Sequence, residues 1–79
     1  MQSETEIIDE METVEEGSEV LWNGRKHTQT VVDVAENSFE VEGNRGGHYR
    51  FVPTGTDGPY LTNLNSGRDY DVDEFHFIR

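Results

Sequence analysis

This chain has no cysteine and a single lysine. Without cysteine there is no disulfide and no thiolate metal site to staple the fold, so a hydrophobic core must hold it alone. Long apolar runs are missing too. Stretches such as Ile7-Ile8 and Phe51-Val52 are far too short for a transmembrane helix or for the apolar region of a secretory signal. A cytoplasmic protein without a membrane partner is therefore expected. Catalytic patterns are equally scarce. Ser3, Ser18, Ser38 and Ser66 sit in no nucleophile motif, and His27, His48 and His76 are too widely spaced to form a helical metal pair. Asp69, Asp71, Asp73 and Glu74 lack the glycine and the distal glutamate of a calcium-binding loop. Arg45-Gly46-Gly47 lacks the Lys-Ser/Thr that follows in a phosphate-cradling loop, and reads as a hairpin turn. Neither enzymatic activity nor a cofactor or metal is expected.

What the chain has in excess is acid. Its 79 residues carry 17 Asp and Glu against six Lys and Arg, a formal net charge of −11. The charge is divided unevenly. Residues 1–16 hold Glu4, Glu6, Asp9, Glu10, Glu12, Glu15 and Glu16 and no base, a net of −7; residues 17–79 hold the other ten acids and all six bases, a net of −4. Two readings fit this composition. An acid-rich, lysine-poor surface suits high salt, where the Debye length near 1 M is about 3 Å and self-repulsion fades. Alternatively, the acidic tail is itself functional.

Residues 1–16 read as an acidic tail, flexible or transiently helical. Ser3-x-x-Glu6 is a capping-box pattern, Gly17 is a helix stop, and Ile7, Ile8, Met11 and Val14 recur at helical spacing. Against a stable helix stand its short length and the like-charge pairs Glu6–Glu10 and Glu12–Glu16.

From Gly17 onward the pattern alternates, and residues 17–79 read as a small β-barrel domain. Strands are expected at about 19–23, 28–35, 38–43, 48–53, 59–64 and 70–79. Val20 and Trp22, Val32 and Val34, Phe39 and Val41, and Tyr49 and Phe51 are the expected inward pairs. The last segment changes parity between Tyr70-x-Val72 and Phe75-x-Phe77, which calls for a bulge or a helical turn near Asp73-Glu74. Turn-forming pieces such as Asn23-Gly24 and Gly43-Asn44-Arg45-Gly46-Gly47 separate the strands. The expected fold class is all-β, a small antiparallel barrel or rolled sheet of five to six strands.

Gly17-Ser18-Glu19-Val20-Leu21-Trp22-Asn23-Gly24, followed by Thr30-Val31-Val32-Asp33-Val34 and Phe39-Glu40-Val41, resembles the opening of an SH3-like barrel of the Tudor type. The chain as a whole also resembles small acidic proteins of halophilic archaea. The resemblance implies a fold and a habitat, and no ligand.

A meander would gather alternate turns at one end. The turns at 24–27, 43–47 and 65–69 bring four bases, Arg25, Lys26, Arg45 and Arg68, to one pole, with Asp69 and Asp71 nearby; the acidic tail joins at the other. This polarity motivates two functional expectations. The first is a non-enzymatic protein-interaction module, whose tail folds on a partner or on a second copy, or whose Trp22, Tyr49, Tyr60 and Tyr70 form a peptide groove. The second is a nucleic-acid- or anion-binding barrel. There Arg25, Lys26, Arg45, Arg50 and Arg68 would meet phosphates, and Trp22, Tyr49 or Tyr60 would stack on bases.

Overall fold

A computed structural model describes residues 2–78. Met1 and Arg79, at the ends of the expected tail and last strand, lie outside the described residues. One short helix precedes seven antiparallel strands: α1 (Glu4–Glu12), β1 (Glu19–Trp22), β2 (Gln29–Val34), β3 (Phe39–Glu42), β4 (His48–Gly55), β5 (Gly58–Asn63), β6 (Arg68–Asp71) and β7 (Phe75–Ile78). They form a single sheet in the order β6-β5-β4-β3-β2-β1-β7. The first six strands are thus a plain meander, and β7 returns to pair with β1.

This order forces the sheet to curl. Flat, seven strands at about 4.8 Å spacing would put β6 and β7 about 29 Å apart. Only residues 72–74 join them, and four Cα steps from Asp71 to Phe75 span at most about 14 Å. The edges therefore approach each other, and the sheet is a half-barrel. The expected final strand is two strands on opposite edges, which raises the count to seven. Neither a bulge nor a helical turn explains the parity change; the chain crosses the seam of the sheet.

Asn23 fixes that seam. It occupies the left-handed region at φ 48°, which asparagine tolerates better than most residues. Its Nδ2 donates to Asp71 O at 2.9 Å, and its Oδ1 accepts from Asp73 N at 2.7 Å and Glu74 N at 3.3 Å. Its backbone N donates to Glu74 O, and the next amide, Gly24 N, donates to the Glu74 carboxylate. On the other side of β7, the Gln2 side chain donates to Phe75 O and accepts from Phe75 N.

The core is one cluster. Val20, Trp22, Val31, Phe39, Val41, Tyr49, Phe51, Leu61, Val72 and Phe75 are buried, joined by Ile7, Met11 and Val14. Trp22, Phe39, Phe51 and Phe75 make edge and stacked ring contacts with centroids 4.8–5.7 Å apart. The inward assignment in β2 differs from expectation. Val31, not Val32, is the buried residue of β2, because the register shifts between Val31 and Asp33; Val32 and Val34 are 36% and 46% exposed. Tyr70 is 46% exposed, since edge strand β6 has no buried residue.

The acidic segment is more than a tail. Ser3 caps α1 in a complete capping box with Glu6, and Ile7 and Met11 enter the core with Val14. Each such side chain contributes about 1.5–3 kcal/mol when fully buried, enough to offset the marginal stability of a short helix. The spacing that predicts an apolar face holds; docking on β4, β5 and β7 supplies what the isolated segment lacks.

Candidate functional site: a basic groove between two turns

The β1–β2 turn and the β3–β4 turn lie side by side. Between them runs a groove of about 610 Å³, lined by Arg25, Lys26, His27, Thr28 and Gln29 from one turn and by Gly43, Asn44, Arg45, Gly47 and Tyr49 from the other. The third turn at this end joins through Asn65 Nδ2, which donates to Gly46 O at 3.0 Å. Meander topology is the cause: the three odd-numbered hairpin turns fall at one end.

Arg25 is the best-positioned group. Its guanidinium carbon lies 4.9 Å from the Trp22 ring centroid and 5.1 Å from that of Tyr49, and Nη2 donates to the Tyr49 hydroxyl at 3.3 Å. Two aromatic faces and one hydrogen bond restrain the fork, so less rotamer entropy is lost when its remaining N–H groups meet an oxyanion. Among the described residues Arg25, Lys26 and Arg45 make no ion pair; the ion pairs there are His48–Glu40, Arg50–Glu40 and His76–Glu74. Gln29 packs its amide against Gly43, where an added Cβ would lie 3.0 Å from Cδ. Thr28 Oγ1 donates to Glu19, the nearest bonded acid.

The other candidates do not line the groove, although Arg68 borders the third turn at the same end. Arg50 is on the outer face of β4, 3.4 Å from Glu40. Arg68 opens β6 opposite Asn63. Tyr60 lines a separate depression with Asp57, Asp69, Tyr70 and Asp71, on the side of the β4–β5 turn. Asp69 and Asp71 thus line that acidic depression and not the basic groove. Trp22 and Tyr49 are 1% and 8% exposed. Their faces are taken up by the core and by Arg25, so they position a cation and offer no open stacking surface. Thr28 and Gln29 carry no motif in the sequence; only their place after the Arg25-Lys26 turn brings them to the groove.

At the opposite end α1 covers the sheet. Met11, Glu12 and Val14 line one depression with residues 34–39, and Gln2, Glu4 and Ile7 line another with Asp57 and Pro59. Glu4, Glu6, Asp9, Glu12, Glu15 and Glu16 are exposed there. Hydrogen bonds from Ser3 hold the Glu6 carboxyl below the ordinary glutamate range, the backbone bond contributing most.

No group of three or more His, Asp or Glu side chains is placed to hold a metal ion among the described residues. No helix there is long and apolar enough to cross a membrane. Comparison with protein families, curated proteins and solved structures gives no match.

Proposed function

We propose that this chain is a non-enzymatic protein-interaction module and that its basic groove receives an acidic segment of a protein partner. One observation carries the reading. On a chain of net charge −11, three of six bases share a groove and have no carboxylate partner among the described residues. Acids outnumber bases almost three to one, so cations left unpaired mark a local field opposite in sign to the rest of the molecule. The restrained Arg25 fork matches a carboxylate in shape and charge. The SH3-like barrel, the salt-adapted surface and a cytoplasmic setting belong to the same proposal. A curled sheet of short antiparallel strands and the excess of acid over lysine support its first two parts.

Nucleic acid binding is the second reading, favoured by the same unpaired cations. It is the weaker one, because Trp22 and Tyr49 present no open face and a polyanion meets a net negative surface. Calorimetric titration of the full chain with hexaglutamate and with a single-stranded oligonucleotide separates the two. Hexaglutamate binding that disappears in K26E/R45E supports the proposal. Oligonucleotide binding without peptide binding overturns it.

A further inference from the structure

We infer that the acidic segment received by the groove is the exposed face of α1 on a second copy of this chain, so that copies associate head to tail. The inference rests on the acidic-segment reading above and names its partner.

Charge complementarity carries it. The groove holds Arg25, Lys26 and Arg45 at one end of the molecule. At the other end α1 presents Glu6, Asp9 and Glu12 to solvent, and no base lies in its last turn. These acids are fixed in place, because Ile7 and Met11 anchor the opposite face of the helix in the core. The helix is nine residues, about 13 Å long at 1.5 Å per residue, a compact ridge rather than a floating tail. Ser3 satisfies Glu6 at the start of the helix, but two strains remain. Glu6 and Glu10 repel at i,i+4, and Glu12 faces the negative end of the helix dipole. A cationic groove laid over this face relieves both. Ordering costs little, since the helix is already folded and Arg25 is already restrained.

Groove and helix are different surfaces at opposite ends, so the contact is heterologous. Such contacts build rings or open chains rather than closed two-fold dimers. Salt should act in two directions. At low ionic strength the net −11 on each copy keeps copies apart. At about 0.15 M the Debye length is near 8 Å, which screens that long-range repulsion and spares contact pairs; at about 1 M the pairs weaken too. Exposed ion pairs are individually weak, so assembly belongs to high protein concentration.

Sedimentation equilibrium of the full chain tests this with two variants. K26E/R45E removes the groove's field and keeps the helix. D9N/E12Q/E16Q neutralises two exposed acids of the helix and one just beyond it, none of them in a side-chain hydrogen bond among the described residues, and keeps the groove. The expected result is association of the native chain at an intermediate salt of about 0.15 M, each variant alone at one chain's mass of 9.1 kDa, and an equimolar mixture that stops at two chains. Trp22 fluorescence melts check that the variants fold, and K26Q/R45Q replaces the charge reversal if that variant does not. A native chain that stays monomeric at every salt while binding hexaglutamate overturns the second copy and leaves the acidic-segment reading standing. A chain that does neither overturns both. A mixture of folded variants that stays monomeric also overturns the head-to-tail contact.

Discussion

Replacing Asn23 should open the seam between the two edges of the sheet before anything else gives way. Its side chain makes three hydrogen bonds across the 71–74 crossover. At about 0.5–1 kcal/mol net each for partly solvated bonds, their loss costs about 1.5–3 kcal/mol. Alanine adds a second term, since a β-carbon in the left-handed region costs about 1–2 kcal/mol, of which asparagine already bears part. Asn23→Ala should therefore destabilise by about 2–4 kcal/mol. Asn23→Gly loses the same bonds and relieves the backbone, so it should fall short of alanine by about 1 kcal/mol. Asn23→Asp keeps the acceptor and loses the donor. It adds a charge beside Asp71, Asp73 and Glu74, so its deficit should shrink as salt rises. Urea unfolding followed by Trp22 fluorescence measures all three, because this single tryptophan is buried next to the seam. An alanine variant within about 0.5 kcal/mol of the native chain, the usual range for an uninvolved surface site, would refute the reasoning. So would a glycine variant less stable than alanine.

Further predictions concern the helix, a tight turn and pH. Met11→Ala should cost about 2–5 kcal/mol, whereas exposed Glu12→Ala should change little; equal urea midpoints for the two would mean that α1 is no part of the cooperative unit. Gly55→Ala would place a Cβ 2.5 Å from Tyr60 Cδ1 and 2.6 Å from Gly58 O, and should destabilise by about 1–3 kcal/mol through overpacking, again read by urea unfolding. Glu6 should titrate below the ordinary glutamate range by carboxyl-detected NMR. A carboxyl held low in the folded state adds stability above its unfolded pKa, and that stability is lost as pH falls through the lowered folded value. Ser3→Ala keeps the backbone N–H that contributes most and removes only the hydroxyl, so it should move the Glu6 titration part of the way back up; a full return to the ordinary range would show that the backbone bond is not the main cause.

Much of the sheet is readable from alternation alone. Phe39, Val41, Tyr49 and Phe51 announce their faces because polar residues alternate with them. Val32 and Val34 mislead because a bulge leaves no mark in composition: Val31 and Val32 are chemically identical, and only the pairing partner tells them apart. The parity change at Phe75 is visible, but not its meaning, since a crossover between sheet edges and a bulge both reverse the alternation. The acidic segment hides its role for an energetic reason. Local terms argue against a helix, and the burial that decides the matter comes from strands far along the chain. Arg25, Lys26 and Arg45 can be brought together from turn positions and meander order. The restraint of Arg25 by Trp22 and Tyr49 cannot, because it depends on two inward rings from different strands meeting one side chain at the rim.

The pairing of β1 with β7 sets the order in which this chain can assemble. Five hairpins join sequence neighbours and can form early, while Glu19 must wait for Ile78 and Gln2 for Phe75. The helix packs against β4 and β5 as well as β7, so its seat is complete only when β7 arrives. During that interval Ile7, Met11 and Val14 are apolar groups without a core. The acids between and around them should act as gatekeepers against premature association. Neutralising Asp9, Glu12 and Glu16 should accordingly lower the yield of refolding at high concentration while leaving native stability nearly unchanged. On that expectation the acidity of the first sixteen residues would protect the chain until β1 and β7 pair.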